Sequence, residues 1–312
     1  MCRSKGNSAG RVASRGAVLC SFLTCLAVAT TRMSMPHAQL GGASTTSILP
    51  QVPRCLAESA FFKGLPQHFR WPEGDDALSL RILKEYGAIF VAREGVTLPP
   101  VLIFSHSTSA AQWQSRLRTE SAVIAGIRVR LQVAAMRALM RARQEATEAH
   151  VVISPRGADG AQRTYEQTVE LWMRHVNPGL RQLVAKGALS VAEAERIRKL
   201  PPQKQVPEIL QLEERGLFFS KIPSKSILSG VAPPGASQHL FMLALDVKEH
   251  NNSVVRSILA RHGWFQTVKF DLPHFTYLGV EERQLPSLGL KMVKSGGRVF
   301  WVPDFECPPA SR

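Results

Sequence analysis

The sequence has 312 residues, of which 45% are hydrophobic and 20% charged, a balance typical of globular proteins. This composition excludes a collagen-like, coiled-coil or fully disordered chain. Lysine and arginine together number 39 against 24 acidic residues, which gives a formal net charge of +15. Such an excess favours anionic partners, namely nucleic acid, anionic lipid or an anionic cell-wall polymer.

The first residues have the organisation of a secretory signal peptide. Residues 1–29 begin with a basic stretch that lacks acidic side chains, continue through a short apolar run and end in Ala27-Val28-Ala29. We therefore expect export and cleavage after Ala29, with an uncleaved anchor as the alternative. The apolar run is short for a membrane span, so no stable span is expected after cleavage.

Cleavage would leave two of the five cysteines, Cys55 and Cys307, close to the two ends of the remaining chain. In an oxidising compartment these two residues could form a disulfide bond. Two unpaired thiols are equally compatible with the sequence.

The chain ahead of the main domain is predicted in two parts. Residues 30–56 are rich in Gly, Ser, Thr and Pro, which indicates a linker. Residues 57–120 are predicted as an accessory α/β segment. Within it we expect a helix over 75–85 and short strands over 88–92 and 100–104.

Residues 121–306 are predicted as the main domain, and its elements follow from apolar periodicity and from turn residues. We expect helices over 128–150 and 163–175, a strand over 150–154, and a solvated helical connection over 179–216 that breaks at Pro201-Pro202. This order of elements predicts an α+β fold, in which helices pack against a small antiparallel sheet that carries a metal site.

The chemistry is concentrated in two stretches that contain His239, Asp246, Asp271 and His274. Two imidazoles and one carboxylate form a suitable ligand set for Zn²⁺, because catalytic zinc sites use three protein ligands and one open position. We therefore predict that His239, Asp246 and His274 bind zinc. Asp271, three residues before His274, is placed to act as a general base.

The spacing of these residues constrains the backbone. His239 and Asp246 are seven residues apart, so an unbroken strand would direct their side chains to opposite faces of a sheet. A shared metal site requires a bend or bulge between them, or one residue beyond the end of the strand. A helix is expected over 252–263, and His262 in its last turn is assigned to capping rather than to metal binding.

These motifs resemble the signature of the zinc D,D-carboxypeptidases and related cell-wall peptidases, which include the vancomycin-resistance carboxypeptidases. That signature is S-x-H-x-x-G-x-A-x-D, followed later by E-x-x-H, and the resemblance covers roughly residues 128–305. The matching residues are Ser237, His239, Ala244, Asp246 and His274. Two positions depart from the signature, since Met242 replaces Gly and Asp271 replaces Glu.

The resemblance implies that two histidines and one aspartate hold zinc, and that Asp271 takes the place of the catalytic base. The family also has an arginine that holds the substrate carbonyl, in a context such as S-G-Y-R-S-x-x-x-Q. Arg163 is the preferred equivalent because Tyr165 and Gln167 follow it, and Arg156 is the rival. Ser237 and Gln167 are accordingly assigned to substrate binding.

The resemblance implies a periplasmic or cell-wall-associated peptidase that cleaves D-Ala-D-Ala, or a related bond, in peptidoglycan stem peptides by attack of a zinc-bound water. Its basic surface would favour adsorption to an anionic cell wall. The alternative function is that of a weak or inactive peptidase-fold protein that binds cell wall. Nucleic-acid binding is not expected, because the sequence contains no basic motif interleaved with aromatic residues.

Overall fold

The structure is a computed structural model. It describes residues 52–71, 76–93, 95–220 and 224–307. The predicted signal peptide over 1–29 and most of the predicted linker over 30–56 lie outside the described residues. The described residues belong to one compact unit, Ser47–Arg312.

Helices and short strands alternate along the described chain. The helices are α1 Arg54–Ala57, α2 Ala60–Lys63, α3 Asp76–Tyr86, α4 Ser107–Ser115, α5 Val133–Glu148, α6 Tyr165–Ala185, α7 Val191–Lys199, α8 Pro202–Glu214 and α9 Ser253–Arg261. The strands are β1 Thr119–Ile124, β2 Ile127–Gln132, β3 Ala244–Asp246, β4 Trp264–Phe265, β5 His274–Tyr277, β6 Leu290–Ser295 and β7 Arg298–Pro303. The predicted α+β class is confirmed.

The strands form small antiparallel sheets. Strands β1 and β2 form one hairpin, β6 and β7 form another, and a three-stranded sheet has the order β3-β5-β4. The register of the three-stranded sheet places Asp246 directly opposite His274. This sheet therefore brings together two of the residues that the sequence predicts as metal ligands.

The longest described helix, α6, begins with a capping box. The Thr164 hydroxyl accepts a hydrogen bond from the Gln167 backbone, and the Gln167 side chain accepts one from the Thr164 N–H. Its buried face includes Trp172, Val176, Leu180 and Leu183.

Among the described residues, no helix is both long and apolar enough to cross a membrane.

The first third of the described chain shares its core with the rest. Phe61 and Phe90 belong to the same hydrophobic cluster as Trp172 and Phe275. Residues 57–120 therefore pack directly onto the layer that carries the three-stranded sheet.

The prediction of strands over 88–92 and 100–104 was wrong. Residues 88–92 continue from α3 into a buried 3-10 helix, Gly87–Val91. Residues 100–104 contain a single isolated bridge, between Val101 and Arg70, and no extended strand. A short apolar run has the same hydrophobicity pattern in a buried strand and in a buried helical turn, so periodicity could not separate the two.

The elements predicted over 128–216 needed smaller corrections. The helix predicted over 128–150 starts at Val133, because Ile127–Gln132 pairs with β1 instead. Residues 150–154 form no regular strand, although the Ser154 backbone bonds to Glu249 and Lys248. The predicted break at Pro201-Pro202 separates α7 from α8.

The stretch over 179–216 is not the solvated connection that the sequence predicts. Ile197 of α7 and Ile209 of α8 are buried in the core. The charged side chains between these apolar positions cover the outer faces of amphipathic helices.

Cys55 and Cys307 form a disulfide bond, with their Cα atoms 5.3 Å apart. The bond closes a loop with a sequence separation of 252 residues and joins α1 to the segment after β7. Of the two alternatives that the sequence left open, the paired state is the one observed. Disulfides persist in oxidising compartments, so the bond is typical of a protein that folds outside the cytoplasm.

Replacing both cysteines with serine is expected to lower the free energy of unfolding by about 2–5 kcal/mol, because the disulfide restricts the unfolded chain. Equilibrium unfolding in urea, compared with the oxidised wild type, measures this change. The wild type treated with a reductant is the matched control and should lose a similar amount. Equal stability of the double variant and the oxidised wild type would contradict the prediction.

Candidate metal centre

The loop before β3 brings His239 next to Asp246. Successive backbone bonds that span three residues wind the chain over 237–242, so His239 precedes the strand rather than belonging to it. The loop ends at Met242, whose φ of 55° lies in the left-handed region. Glycine is favoured in that conformation, and Met242 occupies the position where the resembling signature has Gly. Both conditions that would bring His239 and Asp246 to one point are therefore met, because the chain bends at Met242 and His239 lies before the strand.

His274 reaches the same point from the neighbouring strand. It is the first residue of β5 and lies opposite Asp246. A turn precedes it, in which the His274 N–H donates to the Asp271 carbonyl at 3.1 Å. Asp271 therefore lies outside the strand, so its side chain is not constrained to the opposite face of the sheet.

The three predicted ligands converge. His239 Nε2 lies 3.0 Å from His274 Nδ1 and 3.1 Å from Asp246 Oδ1, and His274 Nδ1 lies 3.4 Å from the same oxygen. Bonds of about 2.0–2.1 Å to a tetrahedral zinc ion would place neighbouring ligand atoms about 3.3 Å apart. The group is therefore buried, suitably spaced and able to hold a metal ion.

The protonation states of His239 and Asp246 favour metal binding by this group. His239 Nδ1 lies 3.1 Å from the Ala161 carbonyl, which can only accept a hydrogen bond, so the Nε2 lone pair faces the other two ligands. Burial lowers the pKa of His239 to about 4, which keeps the imidazole neutral near pH 7. Burial opposes ionisation of Asp246, but interactions with His239 and His274 outweigh it and hold the Asp246 pKa well below its usual value.

A cavity of about 130 Å³ opens onto the group. Of the residues predicted for the site, those on its wall are Arg163, Ser237, His239, Asp271 and His274. The cavity thus places a carboxylate and a guanidinium beside the two imidazoles.

Asp271 lines this cavity, and the pKa of its carboxyl group is raised. Burial raises the pKa of its carboxyl group above the usual value, the negative charge of Asp246 acts in the same direction, and the nearby His274 and Arg163 side chains oppose it. A raised pKa brings a carboxylate closer to the range that suits proton transfer near neutral pH.

The two candidate arginines occupy different positions. Arg163 Nη2 donates to Asp246 Oδ2 at 2.9 Å, and its Nε donates to the Asp159 carbonyl, so Arg163 contacts a predicted ligand directly. Arg156 has an exposed side chain, while its backbone N–H donates to the Asp246 carbonyl at 2.7 Å. Both arginines therefore form a hydrogen bond with Asp246, Arg163 through its side chain and Arg156 through its backbone N–H.

The two residues assigned to substrate binding are separated. Ser237 is buried on the cavity wall, at the start of the loop that carries His239. Gln167 is an exposed member of the capping box of α6 and does not line the cavity.

Sequence reasoning missed further residues on the cavity wall, among them Tyr86 and His175. Tyr86 ends α3 and donates its hydroxyl to the Leu228 carbonyl at 2.5 Å. His175 belongs to the middle of α6. Neither residue lies in a recognisable motif, so only the packing of α3 and α6 around the sheet reveals them.

Comparison with known protein families, curated proteins and solved structures finds no match to this chain.

Proposed function

We propose that this protein is an exported zinc-dependent peptidase that hydrolyses D-Ala-D-Ala, or a related bond, in peptidoglycan stem peptides. The observation that carries the proposal is the convergence of His239, Asp246 and His274 at distances that suit a tetrahedral metal ion. The order and spacing of these residues resemble the zinc D,D-carboxypeptidase signature.

When bound, zinc would supply a Lewis acid and lower the pKa of a coordinated water. The side chains around the cavity would supply the other parts of a hydrolysis. Asp271 would accept the proton of the attacking water at its carboxylate and pass it to the leaving amine. Arg163, whose side chain also bonds to Asp246, would stabilise negative charge on the substrate carbonyl oxygen, and Arg156 is the rival candidate for that role.

A second feature supports an anionic cell-wall partner. A groove of about 1230 Å³ lies between α9 and the β6-β7 hairpin, and Phe275 contributes to it. Because Phe275 follows His274 in β5, its side chain points to the opposite face of the sheet from the metal centre. Arg256 and Arg298 line this groove, and neither forms an ion pair with a described carboxylate. Their charge complements an anionic polymer.

The proposed activity is tested by release of D-alanine from a pentapeptide that ends in D-Ala-D-Ala. The protein without residues 1–29 should release D-alanine when loaded with zinc, lose the activity in a chelator and regain it when zinc is restored. The same pentapeptide ending in L-Ala-L-Ala is the matched control for the substrate. A folded, zinc-loaded protein that releases no D-alanine would contradict the proposal.

The alternative function, a noncatalytic cell-wall binder, has one observation in its favour. Asp271 has one methylene less than the glutamate of the resembling signature, and a base must reach its proton within about 2.6–3.2 Å. Sedimentation with purified peptidoglycan separates the two functions. Sedimentation without hydrolysis, unchanged by Asp271→Ala, would favour the binder.

A further inference from the structure

Gln238 lies beside the predicted ligands without belonging to them. Its side chain is buried, with 1% of the residue exposed, and both ends of its amide are engaged. Nε2 donates to the Tyr86 carbonyl at 2.9 Å. Oε1 lies 2.8 Å from His274 Nε2 and accepts a hydrogen bond from the Thr276 hydroxyl.

These contacts fix the orientation of the amide. The Tyr86 carbonyl can only accept a hydrogen bond, so it requires the NH₂ end of Gln238. The oxygen end therefore faces His274, and an amide oxygen can only accept. His274 Nε2 must then carry the proton, which leaves the lone pair on Nδ1.

The consequence appears at the metal centre. His274 Nδ1 is the atom that lies 3.0 Å from His239 Nε2 and 3.4 Å from Asp246 Oδ1. The Ala161 carbonyl fixes His239 in the complementary way, through Nδ1. Each histidine is thus held with one lone pair directed at the same point, as hydrogen bonds to metal-ligating imidazoles generally achieve.

We infer that Gln238 is a positioning residue that fixes the tautomer and ring orientation of His274 for metal binding. The inference rests on the metal centre of the proposed function and extends it to a residue that does not itself contact the metal. This role of Gln238 differs from simple packing, because only a hydrogen-bond acceptor at this position keeps the proton on His274 Nε2.

The test compares zinc affinities, measured by competition with a chromophoric chelator. Gln238→Leu should weaken zinc binding by about 10–100-fold, the usual effect of losing a partner of a ligating histidine. Gln238→Glu keeps an acceptor oxygen towards His274 but loses the donor to the Tyr86 carbonyl, so it should recover part of the affinity.

Gln205→Leu is the matched control for loss of a buried amide. Gln205 accepts from Trp172 Nε1 at 2.9 Å and donates to the Ile197 carbonyl at 2.9 Å, in the contact between α6, α7 and α8. It should lower stability without changing zinc affinity. Equal losses of affinity in the two leucine variants would assign Gln238 a purely structural role and overturn the inference.

A second measurement needs no variant. Long-range ¹H–¹⁵N spectra of the zinc-loaded wild type should show the His274 proton on Nε2, and a proton on Nδ1 would overturn the inference. Wild-type zinc affinity in Gln238→Leu would overturn the inference alone. A wild type that binds no zinc would overturn the metal centre as well, so the two failures are distinguishable.

Discussion

His274→Ala is expected to remove zinc from a protein that otherwise carries about one zinc ion per chain. His274 supplies one of three converging ligand atoms, and two ligands retain a metal ion far less tightly than three. Elemental analysis of the protein without residues 1–29, after dialysis against metal-free buffer, measures the zinc content.

His262→Ala is the matched control. His262 occupies the C-cap position of α9, its side chain bonds to Glu145 of α5 at 2.8 Å, and it contacts no predicted ligand. This variant should keep the wild-type zinc content. Absence of zinc from a folded wild type would contradict the metal centre, whereas loss of zinc in both variants would indicate a general effect on folding.

Asp271→Asn is expected to lower D-alanine release by about 10²–10⁴-fold, the usual contribution of a general base, while zinc content stays unchanged. Asparagine keeps the size of the side chain but cannot accept a proton. Rates with the pentapeptide, together with zinc content, separate loss of the base from loss of the metal.

Asp271→Glu is the informative companion, because glutamate is the residue of the resembling signature. The carboxylate is retained and reaches one methylene further, so this variant should hydrolyse the pentapeptide at least as fast as the wild type. Full activity in Asp271→Asn would exclude Asp271 as the base. Inactivity of the glutamate variant, with zinc retained, would indicate that the cavity requires the shorter side chain.

The candidate metal centre was the most predictable part of the molecule. Residue types suggested His239, Asp246 and His274 as a zinc ligand set, because few side chains bind zinc, and the resemblance to the D,D-carboxypeptidase signature supplied their order. The spacing also required either a bend or a ligand outside the strand, and the structure has both, since the chain turns at Met242 and His239 precedes β3. The tautomers of the histidines were not predictable, because their hydrogen-bond partners depend on tertiary packing. The partner of His239 is the Ala161 carbonyl, and the partner of His274 is Gln238, which the Tyr86 carbonyl orients.

The fold was predictable where periodicity was long. Helix α3 and helix α9 follow their predicted ranges closely, because apolar spacing and capping residues agree over several turns. Residues 88–92 were misassigned because five consecutive apolar residues have no period. The start of α5 was misassigned because pairing with β1 overrides the helical propensity of residues 128–132.

The disulfide between Cys55 and Cys307 also determines how the protein would respond to mechanical force. The bond encloses every described element from α2 to β7 within one covalent ring. Tension applied through the chain on either side of that ring would pass from one cysteine to the other across the bond. The hydrogen-bonded sheets and the packed helices would carry none of the load until the bond was reduced.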